Sequence, residues 1–205
     1  MSYLKKYIWE LVPENLPKVK RNCPKCNEKT HYINSEKFRV NANKSNLDVW
    51  LIHQCEKCKS TWNMAIYERI KPNDISKDEY EKFLANDKDL AKEYAFNLRI
   101  YHKNKAEVIL EDIIYKLKEN LLESYYINDR EYVIEILCRY PVVIRIDRLL
   151  SDNLGISRSK IKSMHKNGQI LIKDHKNSLN SKVRNGMEIH FPKREENVEH
   201  LKDIV

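Results

Sequence analysis

Four of the five cysteines form two pairs of identical spacing, Cys23-Pro24-Lys25-Cys26 and Cys55-Glu56-Lys57-Cys58. Two intervening residues let a tight turn present both thiolates to one ion, and two such turns complete a tetrahedron of sulfur, the donor set of structural zinc. A redox role needs only one pair, usually between a strand and a helix. Four sulfurs also leave no open position for a metal-bound water. The sequence therefore predicts one structural zinc ion on Cys23, Cys26, Cys55 and Cys58. His31 and His53 lie close enough in sequence to replace a sulfur or to support one. Asn27 and Lys59 follow the pairs where glycine is common; asparagine tolerates a positive φ there, lysine less readily.

A second set of residues is basic. Arg158, Lys162 and Lys166 recur every fourth position, so on a helix they form one stripe, with Lys160 beside it and Arg145 and Arg148 shortly before. One-signed charge on one face suits a polyanion, nucleic acid first.

Other chemistry is scarce. The three glycines, Gly155, Gly168 and Gly186, all lie between Arg145 and Phe191, so a dinucleotide fingerprint or a Walker loop is excluded elsewhere. No His-Glu-x-x-His or Gly-x-Ser-x-Gly occurs. Cys138 sits in an alternating apolar run and reads as a buried hydrophobe. The expectation is a protein without catalytic activity.

The elements that must hold these groups follow from periodicity. Ile146, Leu149, Leu150 and Leu154 make the apolar side of a short helix stopped by Gly155, and Ser157 caps a second that runs to Asn167 with Ile161 and Met164 inward. Gln169–Lys173 and Lys182–Phe191 read as strands, with Asn185-Gly186 as a tight turn. Between the cysteine pairs, Lys37–Asn41 and Leu47–Ile52 read as strands joined at Asn43–Asn46, and Thr61–Tyr67 supplies another; this is the layout of a zinc ribbon. Tyr7–Val12 reads as a strand that joins the sheet of the segment after it. Ser76 opens a helix to about Leu84, and Asp87 one that runs toward His102 with a stripe of Leu90, Tyr94, Leu98 and Tyr101. Val108–Lys118 and Arg130–Tyr140 read as two strands connected near Asn128-Asp129, with Glu119–Tyr125 open to either helix or strand.

The fold class expected is α+β. Residues 1–71 form a zinc-ribbon-like module, 72–140 a helical and β middle segment, 141–192 a third module and 193–205 a tail. Charge follows the division. Residues 18–71 carry 12 lysines and arginines against 5 acids, residues 72–140 carry 11 against 15, and residues 141–192 carry 10 against 4. The start of the chain is interrupted by Lys5, Lys6, Glu10 and Glu14, and no run is long enough to span a bilayer, so the protein is expected in the cytoplasm and off the membrane. There, two cysteine pairs mean metal rather than disulfides.

The third module resembles the alpha-L RNA-binding motif, the S-four domain. The resemblance rests on Arg145-Ile146-Asp147-Arg148-Leu149-Leu150, Gly155-Ile156-Ser157-Arg158-Ser159, Gly168-Gln169-Ile170 and Val183–Ile189, in that order. It implies an RNA-facing surface at Arg148 and the Ser157-Arg158-Ser159 corner. The chain departs from the pattern at Lys173–Asn177, where the family carries an Asn-Gly turn. Over its length the chain also resembles a bacterial domain-of-unknown-function family, number ten sixty-two, on Asn34–Asn43, Leu47–Leu51, Cys55–Cys58 and Thr61–Asn63; that resemblance implies no activity.

The function expected is binding of structured RNA, ribosomal or transfer RNA, with the ribosome as one platform. The residues expected to carry it are Arg145, Arg148, Ser157, Arg158, Ser159, Lys160, Lys162 and Lys166. Lys20, Arg21, Lys25, Lys57 and Lys59 around the cysteine turns would add a second RNA or protein contact. The alternatives are a zinc-containing RNA-modifying enzyme and a DNA-binding regulator built on the zinc ribbon.

Overall fold

The computed structural model describes residues 2–43, 45–127, 131–173 and 178–192. Among these, two five-stranded sheets and five α-helices make an α+β protein. Contacts gather the chain into two compact units, Glu14–Ile114 and the pair of segments Met1–Pro13 and Tyr115–Val205. These boundaries differ from those at residues 71 and 140 drawn from charge and pattern. No helix of the described residues is long and apolar enough to cross a membrane.

The Glu14–Ile114 unit holds the cysteines. Strands β2 (Lys18–Cys23), β3 (Glu28–Asn43), β4 (Asn46–Cys55) and β5 (Thr61–Ile70) pair antiparallel in sequence order, and the short β6 (Glu107–Ile109) adds to β2. Alternation sets the inner face. Val19, Tyr32, Val49, Leu51 and Met64 are buried on it, under Phe83, Ala91 and Tyr101 of the helices. Those helices are α1 (Lys77–Ala85), α2 (Lys88–Ala95) and α3 (Leu98–Lys103), capped by the side chains of Ser76, Asp87 and Asn97. The single helix expected from Asp87 to His102 is two, because Asn97 caps a new start and Phe96 is buried at the break. The stripe is split as well: Tyr101 is buried, while Leu98 is exposed.

The other unit pairs distant segments. Its sheet runs β7 (Tyr115–Ile127), β1 (Ser2–Pro13), β8 (Glu131–Leu137), β10 (Met187–Pro192) and β9 (Leu171–Ile172). Strand β1, expected in the cysteine sheet, lies here instead, antiparallel to β7 and parallel to β8. The reason is its inward row of Tyr7, Trp9 and Leu11, which is buried with Ile134, Ile136 and the helices α4 (Ile146–Leu154) and α5 (Arg158–Lys166). Glu119–Tyr125, open between helix and strand, belongs to β7. The strand expected over Val108–Lys118 is interrupted, with β6 ending at Ile109 and β7 starting at Tyr115. The connection at Asn128-Asp129 lies outside the described residues.

Helices α4 and α5 match the sequence pattern closely. Ile146, Leu149, Leu150, Leu154 and Ile161 are buried, and Met164 packs against them. Gly155 ends α4 at φ 64°, a conformation that costs a side-chain-bearing residue about 1–2 kcal/mol. The final strands are shorter than expected. Residues ahead of β10 form a turn in which the Gly186 N–H donates to the Ile136 carbonyl at 2.8 Å and the Cys138 N–H donates to Asn185 Oδ1 at 2.8 Å.

Candidate metal centre and basic surface

The cysteine pairs close two turns of like geometry at the ends of β2 and β4. The Asn27 N–H donates to the Cys23 carbonyl at 2.8 Å, and the Lys59 N–H to the Cys55 carbonyl at 3.0 Å. Both residues adopt the left-handed region, φ 56° for Asn27 and 61° for Lys59. Strand pairing then sets Cys55 opposite Tyr32 and brings the turns together. The four Sγ atoms lie within 4.8 Å of one another, with 3.5 Å from Cys23 to Cys58 and 3.9 Å from Cys26 to Cys55. Four sulfurs around one zinc at about 2.3 Å stand about 3.8 Å apart, so the spacing fits a single tetrahedral ion.

Hydroxyl groups surround the sulfurs. Ser60 Oγ lies 3.3 Å from Cys23 Sγ and 3.1 Å from Cys58 Sγ, and Thr30 Oγ1 lies 3.3 Å from Cys55 Sγ. Bonds from Ser60 and Tyr32 hold the Cys23 thiol down at about 5, whereas its bond with Cys58 and its burial push Cys26 up to about 12. Four thiolates this close repel one another, and a divalent cation would relieve that repulsion. The donors fit a metal ion, and the four-cysteine group is what the structure establishes.

Neither histidine joins the sulfurs. His53 is fully buried, its Nδ1 3.3 Å from the Leu51 carbonyl and its ring 5.2 Å from that of Trp62. A carbonyl only accepts, so Nδ1 carries the proton. Burial, the main cause, pushes the ring's pKa down to about 4 and keeps it neutral. His31 pairs with Glu56 at 3.6 Å. The basic residues around the turns are unequal too. Lys57 is tied to Glu28 at 2.6 Å, and Arg21 stacks over Trp62 at 4.1 Å, whereas Lys20, Lys25 and Lys59 are exposed.

On the second unit, Ser157 caps α5 by accepting from the Lys160 N–H at 3.3 Å, and its Oγ lies 3.0 Å from Ser159 Oγ. Lys160, Lys162 and Lys166 are exposed, and none forms an ion pair among the described residues. Arg148 reaches Asp152 at 3.4 Å, an exposed pair worth well under 1 kcal/mol.

Arg145 and Arg158 are different. Both converge on Asp147, whose side chain is 0% exposed. Arg158 donates to Oδ2 from Nε at 3.1 Å and from Nη2 at 2.7 Å. Arg145 donates from Nε to Oδ1 at 3.1 Å and from Nη2 to Oδ2 at 2.9 Å, and it also bonds Asn180. Burial alone would raise the Asp147 pKa; the two guanidinium groups outweigh it and hold the carboxyl below its usual range. Sequence reasoning did not single out Asp147 as the partner of these arginines, although an acid two positions after Arg145, in the first turn of a helix, was the available signal.

A second ionic cluster also went unread. Glu188 on β10 receives Lys173 at 2.6 Å, Lys6 at 3.2 Å and His190 at 3.4 Å, and Lys6 continues to Glu135 at 2.8 Å. Lys173 first and then Lys6 bring the Glu188 pKa down to about 2. Lys6 lies 182 residues from Glu188 in sequence, out of reach of any local motif.

Residues 40–176 match the model of a family described as a protein of unknown function, DUF1062. No curated protein and no solved structure matches the chain.

Proposed function

We propose, for a chain that belongs to the DUF1062 family, that it is a cytoplasmic, non-catalytic protein that binds structured RNA, ribosomal or transfer RNA, with the ribosome as one platform. In this reading residues 145–191 are an alpha-L, S-four-like domain, and the cysteine unit contains a zinc ribbon with one structural ion on Cys23, Cys26, Cys55 and Cys58. The zinc would supply folding energy rather than a reactive water, since four sulfurs close its coordination.

The observation that carries the reading is the exposed lysines of α5, Lys162 and Lys166 in one row and Lys160 beside the Ser157 cap, none of them in an ion pair among the described residues. A solvated helix face ordinarily mixes both signs of charge; α5 from Arg158 to Lys166 contains no acid. Arg158 heads the same row, and Arg145 and Arg148 border it. Cations so arranged neutralise backbone phosphates and release counterions, so binding must weaken as salt rises.

The test is direct. Binding of the purified protein to refolded bulk transfer RNA and to fragmented ribosomal RNA is measured across a salt series, with duplex DNA as competitor. Affinity for RNA that falls steeply with salt and survives DNA competition supports the reading. Preference for DNA would transfer the surface to a regulator, and an absence of binding to either would refute it.

A further inference from the structure

We propose that Asp147 is a positioning residue, which holds the guanidinium groups of Arg145 and Arg158 as a paired phosphate clamp at the RNA-binding surface. The inference rests on the RNA-binding reading above and adds a division of labour within it.

The argument begins with cost. A carboxylate taken wholly out of water is expensive unless it is paired and hydrogen-bonded. Asp147 is fully buried and meets that cost with four N–H donors from two arginines. A single arginine would satisfy one carboxylate, and bidentate geometry is available to either alone. Two arginines on one acid leave the group with a net positive charge, and the side chains of Arg145 and Arg158 are still 42% and 48% exposed.

The same bonds define orientation. Asp147 takes the Nε and Nη2 edge of each guanidinium, and Nη1 makes none of these bonds. A flexible arginine must give up rotamer freedom to grip a phosphate. A guanidinium already locked by a buried acid has given it up on folding, so the cost does not recur at binding. Lysines at 160, 162 and 166 have no such support among the described residues and act as mobile point charges. Arg145 precedes α4 and Arg158 opens α5, so Asp147 also fixes the relation of the two helix starts.

Charge counting makes the opposite forecast, which renders the idea testable. Removing the negative charge of Asp147 raises the net positive charge of the surface, and on electrostatics alone RNA affinity should rise. On the positioning reading it falls despite the added charge. Asp147→Asn is compared with wild type for thermal unfolding and for binding to bulk transfer RNA and fragmented ribosomal RNA, with affinities referred to the folded fraction. About a tenfold weaker affinity in folded Asp147→Asn is expected; an equal or tighter affinity overturns the inference.

Should Asp147→Asn fail to fold, Arg158→Lys and Arg145→Lys decide. Each keeps its charge and loses the planar fork. The expected result is affinity about tenfold weaker with the salt slope unchanged, because the charge is kept and the fork is lost. Arginine variants that bind as wild type overturn the inference while the RNA-binding reading stands. A wild-type protein that binds no RNA overturns both.

Discussion

Arg158 donates from Nη2 to the Asp147 carboxylate at 2.7 Å, and the acid is completely buried while the arginine is half exposed. The residue that heads the basic row of α5 is thus part of the fold as well as of the surface. Replacing it disturbs both, whereas the lysines further along the helix touch no acid of the described residues.

That distinction decides which variant tests the surface. Lys160, Lys162 and Lys166 changed together to Gln should leave the unfolding midpoint within about 2–3 °C of wild type, as exposed substitutions do. RNA affinity should drop, and the slope of log affinity against log salt should shrink by about 2–3, one contact per lysine. Unchanged affinity and slope in a folded variant would remove α5 from the interface.

One zinc per chain is expected by metal analysis. Stripping it with chelator, or changing Cys55 to Ser, should unfold the Glu14–Ile114 unit, because metal affinity there is folding free energy. Trp62 is the reporter: it packs against Tyr32 and His53, and Tyr32 bonds Cys23. Its emission should shift and the midpoint should fall by more than about 10 °C. A metal-free protein that melts with the wild type excludes a structural ion.

Lys59 sits at φ 61° in the turn of the second cysteine pair. A lysine there bears backbone strain that glycine does not, offset in part by glycine's greater freedom in the unfolded chain. Lys59→Gly should therefore be neutral or stabilising by up to about 1 kcal/mol, whereas Lys59→Val should destabilise by about 1–2 kcal/mol. Denaturant titration of the two variants measures both. A clear loss on Lys59→Gly would show that the lysine side chain contributes to the turn.

Acid should act through Glu188. Its folded pKa of about 2 lies below the ordinary carboxylate value of 4.5. A depressed folded value means that the ionised form is the one the fold favours. Its contribution is complete above about pH 4.5 and is lost as pH falls from there toward 2. The contribution is on the order of 2 kcal/mol, less than the full shift would suggest because Lys173 is 67% exposed and solvent screens that pair. Carboxyl NMR on labelled protein should show Glu188 titrating far below the other glutamates. Glu188→Gln should be less stable at neutral pH and should flatten the acid limb of stability; parallel limbs in variant and wild type would assign the acid sensitivity elsewhere.

The sequence by itself determined what depends on near neighbours. The Cys-x-x-Cys spacing named the four sulfurs that gather within 4.8 Å, since each pair is closed by its own turn. Ser157, Gly155 and the apolar residues of α4 and α5 were legible for a similar reason: caps and helix faces are set within one or two turns. Ser76 and Asp87 were readable on the same grounds, though the stop at Asn97 was not, because an asparagine cap and an asparagine within a helix look alike until the chain's packing is known.

Only the tertiary structure decided the rest. Strand β1 pairs parallel to β8 across more than a hundred residues, and its alternation alone is equally compatible with the cysteine sheet that follows it in sequence. The bury-or-expose choice for charged residues was hidden in the same way. Asp147 reads as an ordinary first-turn acid, and it becomes a buried anchor only because Arg158, on the next helix, is brought against it. Periodicity reports which face of an element is apolar; it does not report which partner that face meets, and pairing, clamping and the Glu188 cluster all depend on the partner.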